Sequence, residues 1–255
     1  MKLKNNTVLI TGGSSGIGFE LARQLTQLGN KVIITGRDLR KLEEAGLKLP
    51  QLEIIQSDVS KIEDIEELKR KVSQDFESLN ILINNAGEMR KINLQKENEL
   101  GDLTAEIDIN LSGPIRLTQA LLPQLKKQAD AAIINISSGL ALIPYPVSPV
   151  YGATKSGLRS YTKSLRVQLK NTGIRVFEVL SPLVNTPLND KFVGYVDAKD
   201  LMPVEKLVSM ALKEISKDHY EIYPGKAKAI SVLSKLAPNF LLRQLSKPVP
   251  KLLLE

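Results

Sequence analysis

Residues 7–18 read TVLITGGSSGIG, and this stretch decides the fold. It opens with the apolar run Val8-Leu9-Ile10, which suits a strand covered on both faces. It closes on Gly12, Gly16 and Gly18, and helical spacing follows over 17–28. Gly12 permits a tight turn, and Gly16 lets backbone approach a pyrophosphate. Gly18 lets the helix pack against the sheet. The helix start, with Ser14, Ser15 and Ile17, presents free N–H groups to phosphates. A glycine pattern alone is weak. A strand before it and a helix after it supply the context that a nucleotide site requires.

The same alternation continues outward. Further strands are expected at 31–35, 53–57, 80–84, 131–137, 174–180 and 219–223. Helical spacing occupies 39–47, 62–76, 100–127, 152–170 and 204–217. Alternating strands and helices imply a parallel sheet with right-handed crossovers. The expected fold class is therefore α/β: one Rossmann-type, doubly wound parallel sheet in three layers and a single domain. Residues 1–224 would form the dinucleotide-binding unit, and 225–255 a basic amphipathic tail.

Composition narrows the chemistry. The 255 residues include no cysteine, which excludes disulfides and thiolate metal sites. The single histidine, His219, rules out a histidine cluster within one chain. Catalysis must use Ser, Tyr, Lys, Asn, Asp or Glu. The N-terminus shows no signal peptide, and no apolar run reaches a membrane span, so a cytoplasmic protein is expected. The net charge of +7 suits anionic ligands or simple solvation, and nothing points to nucleic acid.

The run Thr11-Gly12 through Gly16-Ile17-Gly18 resembles the glycine motif of the short-chain dehydrogenase/reductase family. The resemblance covers about residues 5–190. Within the family, 7–18 and 131–188 look most like a subgroup of bacterial oxidoreductases called DltE. The resemblance implies that Asp58 and the N–H of Val59 hold an adenine edge. Asn84-Asn85-Ala86-Gly87 resembles the family's NNAG motif, where Asn85, Ala86 and Gly87 admit the adenosine ribose. A bland alternative for Asp58 is a turn residue.

Cofactor preference is read at the end of the second strand. Gly36 stands where NAD-preferring relatives carry an acid, and Arg37 follows. A guanidinium there accommodates the 2′-phosphate of NADP. The competing role for Arg37 is a surface ion pair. Asp38 is expected as a helix N-cap.

Tyr151 and Lys155 share one helix face at a spacing of four. An isolated phenol, with a pKa near about 10, is a poor acid–base at neutral pH. A neighbouring ammonium and a positive nicotinamide ring are expected to lower it. Tyr151 is thus the expected general acid in reduction and base in oxidation. By resemblance, Lys155 also holds the nicotinamide ribose. Ser138 stands at the family's spacing for the serine that bonds the substrate oxygen, and Asn110 matches its fourth catalytic residue, which positions a water. Ser181-Pro182-Leu183-Val184-Asn185-Thr186 corresponds to the loop whose Val184 and Thr186 meet the cofactor. Leu183 replaces the usual glycine, as DltE-type sequences also do.

Between Ser138 and Tyr151 the chain is apolar, with Leu140, Leu142, Ile143, Tyr145 and Val147. This segment is either a pocket wall or cover for the helix below. Residues 187–201 fall where the family carries a substrate lid. The tail holds six cations and one acid, five of the chain's seven net positive charges. Its apolar residues recur at helical spacing, broken at Pro238. They pack over the substrate cleft or a neighbouring subunit, or the basic helix lies on an anionic membrane or meets an acidic partner.

The function expected is hydride transfer between NADP(H) and a small, partly apolar carbonyl or alcohol. The alternative is a non-catalytic NADP-binding sensor. By resemblance, a homodimer or homotetramer through 100–127 and 152–170 is expected.

Overall fold

The computed structural model describes residues 1–192, 194, 195 and 197–254. Its strands are β1 (Thr7–Thr11), β2 (Lys31–Gly36), β3 (Glu53–Gln56), β4 (Leu79–Asn84), β5 (Ala131–Ser138), β6 (Ile174–Ser181) and β7 (Glu221–Ile222). They form one all-parallel sheet in the order β3-β2-β1-β4-β5-β6-β7. The helices are α1 (Gly16–Gln27), α2 (Leu39–Lys48), α3 (Ile62–Asp75), α4 (Leu100–Ile107), α5 (Gly113–Leu125), α6 (Pro149–Gln168), α7 (Pro187–Asp190) and α8 (Val204–Ser216). Three more, α9 (Lys226–Leu236), α10 (Pro238–Leu245) and α11 (Val249–Leu254), make the tail.

Strand side chains alternate between two cores, which explains the unbroken apolar runs. On one face Val8, Ile10 and Ile34 pack with Leu21 and Leu25 of α1 and Val208 and Leu212 of α8. On the other, Leu9, Ile33 and Ile133 pack with Leu68 of α3, Leu117 and Leu121 of α5, and Leu165 of α6. The result is the expected three-layer, doubly wound domain.

Strand order reverses between β1 and β4, which opens a crevice at their carboxyl ends. A polar clasp holds the two strands there. Thr11 Oγ1 accepts the Asn85 and Ala86 N–H groups, each at 3.0 Å. Asn85 Nδ2 donates back to the Thr11 and Gly12 carbonyls at 2.9 and 3.1 Å. Deeper in, Asn84 Nδ2 donates to Asn135 Oδ1, and Asn135 Nδ2 to Thr162 Oγ1, both at 2.8 Å.

The expected long helix over 100–127 is not continuous. A π-turn at Asp108–Ser112 separates α4 from α5. Pro114 has no N–H to offer the Asn110 carbonyl, so the regular i→i−4 ladder fails there. The tail also differs from one broken helix: Pro238 begins α10, and α11 follows. Asp38 caps α2 as expected, accepting Lys41 N–H at 3.3 Å. Among the described residues no helix is long and apolar enough to cross a membrane.

The clasp yields a stability prediction. Thr11→Val keeps the shape but leaves two buried N–H groups without their acceptor. It should lower unfolding free energy by about 2 kcal/mol. The check is a urea melt: the midpoint falls at unchanged slope. An unchanged midpoint would mean the amides find another acceptor.

Candidate active site

The crevice opens into a cavity of about 560 Å³ running from α2 to the tail helices. Almost every residue expected at the site reaches its wall. Gly12, Ser14, Ser15, Gly16 and Ile17 line one end, and Ser138, Tyr151 and Lys155 the middle. Gly18 and Asn110 do not reach the wall; each acts behind it.

Gly12 and Gly16 adopt φ of +64° and +53°, a region that L side chains rarely take. A Cβ on Gly12 would lie 2.9 Å from Ala86 Cα, so the two turns touch backbone to backbone. A Cβ on Gly18 would meet Asn85 Nδ2 at 2.5 Å and press on the Gly12 carbonyl. Its role is packing, as read from the sequence. Ser15 is the N-cap of α1 and makes no side-chain capping bond. The first N–H groups of α1 therefore meet the cavity without a side-chain acceptor.

The far end of this region is lined by Arg37, Asp38, Lys41, Asp58 and Val59. Asp58 Oδ1 accepts the Ser60 N–H and hydroxyl at 3.0 and 2.7 Å, so it shapes its own turn as well as the wall. Arg37 is exposed and lies 3.4 Å from Glu88 Oε2. Glu88 Oε1 is 3.4 Å from Lys191 Nζ, which places this carboxylate between two cations at the rim. Lys41 was not singled out from the sequence. Its signal was a spacing of four from Arg37, in the first turn of α2.

Tyr151 and Lys155 sit on α6, which begins at Pro149, and both are buried. Lys155 Nζ donates to the Ile136 carbonyl at 3.0 Å and lies 5.7 Å from the Tyr151 ring centroid. Ser138 Oγ accepts the Leu140 N–H at 3.1 Å, and its hydroxyl also hydrogen-bonds with Tyr151. Asn110, wholly buried in the π-turn, clamps two segments. It accepts the Glu88 N–H and donates to the Glu88 carbonyl, both at 2.8 Å, and donates to Thr154 Oγ1 at 3.2 Å. Its side-chain hydrogen bonds go to protein groups, so the side chain acts as a brace between the end of β4 and α6.

Without nicotinamide, the surroundings of the Tyr151 phenol hold it above its ordinary value. Burial pushes Tyr151 up to about 12, the Glu106 charge acts in the same direction, and a hydrogen bond with Ser138 opposes both. Desolvation of the phenolate is the largest of these effects. The lysine is itself pushed down to about 8 by burial, against the opposing pull of Glu178.

Beyond the reacting centre the wall is apolar. The segment after Ser138 contributes Leu140 and Tyr145, so it is pocket wall. Leu188 and the buried Phe192 and Tyr195 close over it from the expected lid, of which 193 and 196 lie outside the described residues. Leu183, in place of glycine, also lines the cavity, and Met202 ties its loop through the N–H of Met202 to the Leu183 carbonyl at 2.9 Å. Val184 and Thr186 complete that loop's contribution. The tail supplies Ile230, Gln244, Leu245 and Pro248, a wall not assigned residue by residue from the sequence.

These residues fit a dinucleotide. The backbone cradle at Gly12 and Gly16 would be filled by a Cβ, and the start of α1 presents positive charge density to a pyrophosphate. Three polar side chains that can hold or move a proton lie at the other end.

Known proteins agree with this geometry. The short chain dehydrogenase family profile matches residues 6–194. The chain is 45% identical over 195 residues to the uncharacterized oxidoreductase DltE of Bacillus subtilis (strain 168), over 75% of this chain and 76% of that one. A short chain dehydrogenase from Burkholderia cenocepacia J2315, solved in complex with NADP, superposes with TM-score 0.84 at 23% identity, over 97% of this chain and 100% of that one. A short chain dehydrogenase/reductase from Burkholderia phymatum, solved in complex with NAD, has TM-score 0.84 at 20% identity over 96% of each chain. At those identities the two structures speak to the fold. With the glycine turn, the parallel sheet and the matched profile together, the chain belongs to the short-chain dehydrogenase family of oxidoreductases.

Proposed function

We propose that this protein is an NADP(H)-dependent oxidoreductase that interconverts a carbonyl compound and its secondary alcohol. The observation that carries the proposal is the convergence of Ser138, Tyr151 and Lys155 on one cavity with the glycine turn. Bound nicotinamide supplies a hydride to the carbonyl carbon in reduction and takes one back in oxidation. Tyr151 gives its phenolic proton to the carbonyl oxygen, so that carbon gains H⁻, oxygen gains H⁺, and an alcohol leaves. Ser138, beside Tyr151, turns its hydroxyl proton to the same oxygen as a hydrogen bond and fixes its position. Lys155 spends one of its three donors on Ile136 and offers the others to ribose hydroxyls. A phenol raised to about 12 stays protonated at neutral pH, which suits proton donation. Oxidation asks for added positive charge beside it.

The preference for NADP(H) rests on Gly36, Arg37 and Lys41. A 2′-phosphate offers the exposed Arg37 a stronger, doubly charged partner than the half-buried Glu88 carboxylate. The substrate is a partly apolar carbonyl compound, as the wall of Leu140, Tyr145, Phe192 and Leu245 favours. Assembly as a homodimer or homotetramer is part of the same proposal. Leu100 on α4 and Val167 on α6 are 78% and 74% exposed, large apolar groups on the helices expected to pair.

Three outcomes are expected. Tyr151→Phe fills the same space without the proton. It should retain NADPH affinity in a fluorescence titration and lose about 10²–10⁴-fold in kcat on any carbonyl the wild type reduces. Near-normal turnover would remove Tyr151 from the mechanism. Arg37→Ala should raise the Kd for NADPH about tenfold and leave that for NADH nearly unchanged, because one charge-assisted bond at an exposed site is lost. Equal wild-type affinities for the two cofactors would sink the assignment.

The third concerns Lys155. Its folded pKa, about 8, lies below the ordinary lysine value, so the buried ammonium costs stability at pH below about 8. That cost shrinks as pH rises from the folded pKa toward the unfolded one. Lys155→Met should therefore stabilise the protein, without added cofactor, by about 1–3 kcal/mol at pH 7 and by less near pH 10. Urea melts at the two pH values check it. A destabilised variant at pH 7 would show that the Ile136 bond outweighs the burial cost.

A further inference from the structure

The tail helices have two different faces. Their inner faces belong to the cavity, through Ile230 of α9 and Gln244 and Leu245 of α10. Ala227 and Leu241 are buried on the same side. Their outer faces carry Val232, Leu233, Leu236 and Phe240, which are 49%, 36%, 78% and 56% exposed. At 100° per residue, Ala229, Val232, Leu233 and Leu236 fall in one arc of about 100°, an apolar stripe along α9. Lys228 and Lys235 border that stripe on one side and Lys226 on the other. Phe240 continues it onto α10, one helical turn from Arg243.

Charge decides what this face fits. Residues 225–254 contain six cations and no acid. Lys226 is held by Asp200 at 2.6 Å, and Lys251 reaches the Gly194 carbonyl at 3.4 Å. Lys228, Lys235, Arg243 and Lys247 have no ion pair among the described residues. A subunit interface between identical copies would bring these like charges together across a two-fold axis. A surface that is apolar at its centre and anionic throughout accepts both features at once. An apolar stripe bordered by lysines is the form of a helix that lies in a membrane interface.

We propose that α9 and α10 dock this face on an anionic lipid surface. Val232, Leu233, Leu236 and Phe240 enter the headgroup boundary, and Lys228, Lys235 and Arg243 contact the anionic groups. Because the opposite side of the same two helices walls the cavity, docking holds the substrate chamber one helix layer from the bilayer. Amphiphilic carbonyl compounds dissolved in the lipid then become the accessible substrate class. The docking does not depend on the proposed reaction; the substrate class does.

The test is flotation of the full chain with phosphatidylglycerol-rich vesicles and with pure phosphatidylcholine vesicles, at low and high salt. Each cation near an anionic surface contributes about fivefold to partitioning. Wild type should favour the phosphatidylglycerol vesicles by tenfold or more (order of magnitude), and salt should weaken this. Leu236→Asp with Phe240→Asp should abolish the binding, and so should Lys228→Gln with Lys235→Gln and Arg243→Gln. NADPH titration shows that both variants are folded, and the glutamine set decides if the aspartate pair is not. No wild-type binding to phosphatidylglycerol at low salt, or full binding by folded variants, overturns the proposal. Dissociation of a homo-oligomer by either variant, seen by light scattering, also overturns it and makes the face a subunit contact. If docking holds and no carbonyl is reduced, the proposed reaction fails and the surface stands.

Discussion

The arrangement of the site depends on the clasp between the ends of β1 and β4. A parallel sheet that reverses its winding leaves a gap between two loops, and nothing in the strand ladder bridges it. Thr11 and Asn85 bridge it with four hydrogen bonds among buried or half-buried groups. The Asn85 amide also occupies the space beside Gly18, which forbids a side chain there. One short-range network thus fixes the glycine turn, the start of α1 and the Asn85-Ala86-Gly87 turn against each other. Gly87 in turn borders Asn110 and Lys155, where a Cβ would stand 3.3 and 3.6 Å from their polar atoms. The glycine turn, Asn110 and Lys155 are therefore parts of one packed unit.

That unit was largely legible because its chemistry is local. The turn after β1 needs glycine for backbone reasons, and the positive φ values at Gly12 and Gly16 state the need directly. A spacing of four places Tyr151 and Lys155 on one face whatever the helix packs against. What was not legible depends on partners remote in the chain. Glu88 stands 51 residues from Arg37, and nothing in either neighbourhood announces their approach. The upward shift at Tyr151 was not legible for the same reason. Depressing it requires a charge close to the oxygen, and raising it requires only loss of water, which burial by the whole fold supplies.

Two opposed shifts meet at the reacting centre. Burial favours the neutral phenol and the neutral amine, so Tyr151 and Lys155 are both pulled toward their uncharged forms. A buried ammonium with a carbonyl acceptor at 3.0 Å is tolerated, and the distant Glu178 helps it keep its proton. Such strain is common where function sets the environment and stability does not. The Asn110 side chain braces the site. Its buried amide joins Glu88 to Thr154, and Thr154 Oγ1 donates to the Tyr151 carbonyl at 2.8 Å. The π-turn that carries it places a polar side chain in an apolar layer with all of its bonds directed to those two segments.

The tail shows where periodicity ends as a guide. Amphipathic spacing identifies two faces on a helix and does not say what meets either one. In α9 the inner side carries the buried Ala227, the half-buried Ser231 and Ser234, and Ile230, which lines the cavity, while Val232, Leu233 and Leu236 point outward. A helix serving only to cover the cavity would turn those three inward as well, where each buried methylene contributes about 0.8 kcal/mol. The small residues beside Ile230 let the helix lie close over Gly139, where a Cβ would stand 3.3 Å from Ile230 Cδ1. Close packing on the inside and apolar bulk with unpaired cations on the outside are two separate demands on one short helix. The first belongs to the chamber, and the second is physically intelligible only if the outer face has a partner of its own.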